Sequence, residues 1–132
     1  MKRHLLFYTI ACLAICPTLL NAQQSLRVLF IGNSYTYFNS LPQLVADMAF
    51  STGDTILFDS YAPGGYTFQL HASDTNCIHK IKQGNFDYVI LQEQSQRPSF
   101  PIAQVAAQTF PYATALDSII KHHNPCAETM FL

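Results

Sequence analysis

Three short clusters carry residue types that could act together on an ester. Gly32-Asn33-Ser34 offers a hydroxyl, Gly64-Gly65 offers backbone N–H groups that no side chain obstructs, and Gln92-Glu93-Gln94 offers two amides around a carboxylate. A serine hydroxyl attacks a carbonyl only when a base takes its proton and donors face the oxyanion that forms. Gly65 could supply one donor through its N–H, and a glutamine of the third cluster could supply another. The base is harder to find. His122 and His123 close one helical pattern and His79 lies far along another, whereas His71 sits in the first turns of a helix beside the clusters. The positive end of a helix dipole keeps such a ring neutral, so His71 is the histidine in reach as a base, its alternative being a packed or pocket-lining residue. Glu93 could orient a neighbour or meet substrate hydroxyls, although a surface carboxylate needs no role. Cysteine and histidine show no metal-ligand spacing.

Each cluster alone reads as a turn, and what joins them is the order of elements. Val28-Leu29-Phe30-Ile31 is an uninterrupted apolar run, the pattern of a strand buried on both faces, and it stops at the first cluster. Ser40-Leu41-Pro42-Gln43 has the form of a capping box, and Leu41, Leu44, Val45, Met48 and Ala49 follow at the spacing of one helical face. Thr55 to Tyr61 has strand composition and ends at the second cluster. A helix is expected from about Thr67 to Gln83, then a strand from Phe86 to Leu91 that ends at the third cluster. A further helical pattern runs from Ile102 to Ile120, bent or split at Pro111, and Glu128 to Leu132 opens a fourth strand. This alternation argues for a parallel sheet with right-handed crossovers. Parallel strands point one way, so all three clusters fall on one edge, the carboxyl edge where α/β sheets collect ligands. A fourth strand at the chain's end implies the front part of a longer protein, truncated in or after that strand, with a short terminal edge strand as the alternative.

The chain has 132 residues, 49% of them hydrophobic, and a formal charge of −1, which gives no electrostatic reason to expect nucleic acid or an anionic membrane as partner. Met1 to His4 is basic, Leu5 to Leu20 is apolar but interrupted at Pro17, and a small residue, Ala22, precedes a plausible cut. This reads as a secretory signal peptide over 1–22, leaving 23–132 as a secreted or periplasmic domain with no stable membrane anchor. That cut would leave two cysteines, Cys77 and Cys126, able to pair in an oxidising compartment. The reading ranked first leaves them unpaired, one on a helix and one in a loop.

Gly32-Asn33-Ser34-Tyr35, the Gly64-Gly65 turn and Leu91-Gln92-Glu93-Gln94-Ser95 together resemble the first three sequence blocks of the SGNH/GDSL hydrolase superfamily, closest to its secreted bacterial branch. The resemblance spans most of 23–132. It implies a flavodoxin-like three-layer α/β/α fold, no metal or other cofactor, and ester hydrolysis through an acyl-enzyme, often on acetylated carbohydrates. By resemblance Ser34 is the nucleophile and its own N–H an oxyanion donor, with Gly65 supplying a second donor. The third block departs from the family's Gly-x-Asn-Asp. Gln92 is preferred to Gln94 as the amide donor because it lies nearer the strand end. The family's Asp-x-x-His, which brings the base, does not occur in these residues, so weak or absent turnover is expected of the chain as it stands. Asn33, Tyr35 and Tyr66 are expected to line the substrate. The aromatic cluster of Tyr35, Tyr37, Phe38, Tyr61 and Tyr66 serves equally as a sugar-stacking surface or as packing. A non-catalytic carbohydrate-binding or scaffold protein of the same fold is the second reading. A flavin or nucleotide binder is disfavoured, because the loop after the first strand lacks a phosphate-cradling glycine series.

Overall fold

The computed structural model describes residues 25–132, so the signal-peptide reading of 1–22 lies outside the described residues. Four parallel strands, β1 (Ser25–Ile31), β2 (Thr55–Tyr61), β3 (Tyr88–Leu91) and β4 (Glu128–Phe131), form one sheet in the order β2-β1-β3-β4. The all-parallel sheet with helices in the connections is the expected three-layer α/β architecture. The order turns back on itself at β1. The chain steps from β1 to β2 on one side, then crosses to lay β3 on the other, so the switch point lies between the carboxyl ends of β1 and β3.

The central strand behaves as its composition predicts, with Val28, Leu29, Phe30 and Ile31 all buried. Leu29 and Ile31 join Val89 and Leu91 of β3 in the main core. Cys77, Ile81, Leu116 and Ile120 cover them, from the helices α4 (Thr75–Lys82) and α6 (Phe110–His123). Each such side chain contributes about 1.5–3 kcal/mol by leaving water, which is what holds the strand ends in register. On the other side, α2 (Leu41–Ser51) packs against β2.

Several local expectations are corrected. The helix expected over 67–83 is two helices, α3 (Phe68–Ser73) and α4, divided at Asp74. Asp74 is extended (φ −87°, ψ 117°) and accepts the Asn76 N–H at 2.8 Å as an N-cap, while Ser73 Oγ turns back onto the carbonyls of Gln69 and Leu70. The break near Pro111 falls at Thr109, between α5 (Ile102–Gln108) and α6, and Pro111 occupies the first turn of α6, where its missing N–H is harmless. The capping box at Ser40 does not form. Ser40 and Asn39 both take left-handed conformations (φ 54° and 56°), Ser40 makes no cap, and Gln43 donates to Asp47 instead. Consequently Leu44 and Met48 face solvent, and α2 rests on the sheet through Pro42 and Ala46. Cys77 is buried in α4 and Cys126 exposed in a loop, and both are free thiols.

Candidate active site

All three clusters meet at the carboxyl edge of the sheet, on either side of the switch point, and buried side chains tie each loop to the other two. The first loop is held to the third by Gln92: its Oε1 accepts the Asn33 N–H at 3.1 Å and the Thr36 hydroxyl at 3.0 Å. The first is held to the second by Asn33, whose Nδ2 donates to the Tyr66 carbonyl at 2.9 Å. The second is held to the third by Glu93, whose Oε1 accepts the Phe68 N–H at 3.0 Å and its own neighbour's, Gln94 N–H, at 2.7 Å. Asn33, Thr36, Gln92 and Glu93 are all buried. A buried polar group left unpaired costs about 1–3 kcal/mol, so each bond is worth most as a specification of where the loops must sit.

Ser34 opens a four-residue helix, α1 (Ser34–Tyr37), capped by Asn33 Oδ1 accepting the Tyr35 N–H at 3.2 Å. Its side chain is half-buried, and its Oγ is bonded to no other described residue. Gly64 and Gly65 are the central residues of a turn closed by the Tyr66 N–H on the Pro63 carbonyl at 3.3 Å. Gly65 has φ +74°, the value that the third position of a type II turn demands and that favours glycine. The N–H groups of Ser34 and Gly65 donate to no other described residue, so both are free to meet an anionic oxygen.

The glutamines divide differently from the expectation. Because Asn33 N–H can only donate, the oxygen of the Gln92 amide must face it, and the Nε2 end is turned onto the Glu93 carbonyl. Gln92 is thus a strut between loops, with its amide turned inward onto the protein. Gln94 is half-buried, accepts the Gln96 N–H at 2.9 Å through its oxygen, and keeps its Nε2 unengaged among the described residues. Of the two amides, Gln94 is the one with an unengaged Nε2 and a partly exposed side chain. Glu93 orients its neighbours through Oε1, and its Oε2 is buried without a partner.

His71 is completely buried, with its Nε2 2.8 Å from the Gly32 carbonyl and Tyr61 and Tyr66 rings against its faces. A carbonyl only accepts, so Nε2 carries the proton and Nδ1 is left as an unpartnered acceptor. Burial lowers its pKa from the ordinary 6.5, against the opposing pull of the Gly32 carbonyl and Asp74. The helix dipole acts in the sense opposite to that expected. Because α3 ends at Ser73, His71 lies in its last turn, and desolvation keeps the ring neutral instead. Its Nε2–H supports the first loop through Gly32, and its lone-pair nitrogen, Nδ1, is buried with no hydrogen-bond partner, so the ring makes no bond to Ser34 Oγ. His122 and His123 lie at the end of α6, immediately before β4, on the opposite edge.

Of the residues expected against substrate, Asn33 engages its amide with the Tyr66 carbonyl and the Tyr35 N–H, Tyr66 packs its ring against His71, and Tyr35 is exposed beside Ser34. Two contributors escaped sequence reasoning. Thr36, two residues after the serine, is buried and donates its hydroxyl to Gln92. Asp74 accepts the Tyr61 hydroxyl at 2.5 Å, which raises the Tyr61 pKa to about 12 and lowers that of Asp74. The signal for Asp74 was present in its N-cap residue type, within a helical pattern read as continuous. Among the described residues, no group of three or more His, Cys, Asp or Glu is placed to hold a metal ion. Compared with known proteins, the chain matches no family model, no curated protein and no solved structure.

Proposed function

We propose that the chain is a serine ester hydrolase of SGNH/GDSL type, with Ser34 as nucleophile and carbohydrate or acetyl esters as substrates. The observation that carries this reading is the placement of an unengaged Ser34 hydroxyl and two free backbone N–H groups, Ser34 and Gly65, on loops locked together at the switch point. In the reaction Ser34 Oγ attacks the ester carbonyl and loses its proton to a base. The oxyanion is met by the N–H groups of Ser34 and Gly65, with Gln94 Nε2 as a third donor. The alcohol leaves with a proton, and water then frees the acid from the acyl-enzyme. His71 Nδ1 makes no hydrogen bond to the Ser34 hydroxyl in this arrangement, so turnover by the 132-residue chain is expected to be weak.

Acetate release from an acetylated xylan measures this directly, and Ser34→Ala should reduce it to the uncatalysed background. Release that is unchanged by Ser34→Ala rejects the serine mechanism. A second reading, a secreted carbohydrate-binding protein without turnover, draws support from the lack of any hydrogen bond between His71 Nδ1 and the Ser34 hydroxyl. Retention on the glycan with no acetate released would favour it.

A further inference from the structure

We propose that the aromatic ridge beside Ser34, made by Tyr35, Tyr37 and Phe38, binds a neutral oligosaccharide of at least two sugar units. The inference deepens the ester-hydrolase reading, on which it rests for the position of the ester, by naming the part of the substrate that is not cleaved.

Tyr35, Tyr37 and Phe38 are 66%, 54% and 67% exposed, although each lies within four residues of Ser34 and the core accepts other aromatics. Three large rings left in water on one short segment form the kind of apolar patch that marks a binding surface. Two hollows share Tyr37 in their walls. One, of about 470 Å³, is lined by Ser34, Tyr35, Tyr37, Phe38 and Asn39. The other, of about 330 Å³, has Thr36, Ser40, Gln43, Phe58 and Ser60 in its wall together with Tyr37. The Tyr37 hydroxyl also reaches the glycine turn, standing 3.5 Å from where a Gly64 Cβ would be. The ridge therefore extends from Ser34 to Phe38, with Tyr37 shared by the walls of both hollows.

The chemistry of the lining selects the ligand. Its polar groups are hydroxyls and amides, which both donate and accept, as sugar hydroxyls do. Neither lining contains a charged side chain, and the whole stretch between Arg27 and Lys80 holds no lysine or arginine. A phosphate, sulfate or uronate would find no counter-charge here, and nucleic acids draw most of their affinity from such contacts. An ammonium ligand would lack a carboxylate. What remains is a neutral molecule with flat C–H faces for the rings and hydroxyls for the amides, repeated at least twice.

Calorimetric titration of the 132-residue chain with xylohexaose, cellohexaose and chitohexaose tests this without any ester present. At least one hexamer should bind, at least tenfold more tightly than its own monosaccharide. The Tyr35→Ala, Phe38→Ala double variant should lose at least tenfold of that affinity at an unchanged melting temperature, since both rings are exposed. Gln43→Ala, in the second hollow, should weaken the hexamer and leave monosaccharide binding as it was. The proposal is overturned if none of the three binds, if length makes no difference, or if the double variant binds as the parent does. Preference for a heparin hexasaccharide would also overturn it. Oligosaccharide binding without Ser34-dependent acetate release would leave the ridge standing and remove the reaction. Release without oligosaccharide binding would do the reverse.

Discussion

At the scale of single residues, the tightest constraint falls on Gly32. A Cβ there would overlap the Thr36 hydroxyl oxygen and come within 2.8 Å of Gln92 Oε1, the two groups whose bond joins the first loop to the third. Gly32→Ala is therefore expected to destabilise the chain by about 1–3 kcal/mol, the usual cost of overpacking, read as a shift in the urea midpoint. His71 makes a pH prediction. Its folded pKa is below 6.5, so as pH falls through 6.5 the unfolded chain takes up a proton that the folded chain refuses. Stability contributed by the neutral ring is complete above that pH and is lost below it, with a slope approaching about 1.4 kcal/mol per pH unit for one proton. Urea melts between pH 7.5 and 5.5 should show that slope in the parent and lose it in His71→Gln. The glycine was legible as a turn residue. Its packing role was not, because Thr36 and Gln92 are far apart in the chain and nothing local announces that they meet.

At the scale of elements, Gln92 and Glu93 act as one device at the end of β3, each reaching a different neighbouring loop. Glu93→Leu strands the N–H groups of Phe68 and Gln94, whereas Glu93→Gln keeps an acceptor. A loss of about 1–3 kcal/mol for the leucine variant, partly restored in the glutamine variant, is the expected result in the same melts, and equal losses would show that the carboxylate itself is needed. The strands were legible here because the buried run Val28–Ile31 stops abruptly at Gly32-Asn33-Ser34 and the strand-like run Thr55–Tyr61 stops at a Pro-Gly-Gly turn. The helices were legible in position but not in continuity. Leu70, Cys77, Ile78 and Ile81 fit a single helical stripe, yet Asp74 prefers to cap the next helix and does so. At Ser40 the capping pattern was present, and a left-handed backbone turned its hydroxyl away from the helix.

At the scale of the whole molecule, the core is one-sided. The face carrying α4 and α6 is closed, while β4 stands at the sheet's edge with Met130, Phe131 and Leu132 exposed. An apolar edge strand with an open row of backbone groups is a template for pairing. Sedimentation velocity should accordingly show concentration-dependent self-association of the 132-residue chain, reduced by Met130→Lys; a monomer at all concentrations would contradict this. Parallel topology was legible from the alternation of elements, and the sheet order completes it by setting the switch point between Ser34 and Gln92. The bonds that assemble the site span 33 residues from Asn33 to Tyr66, 59 from Asn33 to Gln92 and 25 from Phe68 to Glu93. A nascent chain leaving the ribosome therefore exposes Ser34 long before anything can hold it. The nucleophile's loop must wait, unlatched, until Gln92 and Glu93 have been synthesised and β3 has docked, so the site is among the last features of this sheet edge to be born.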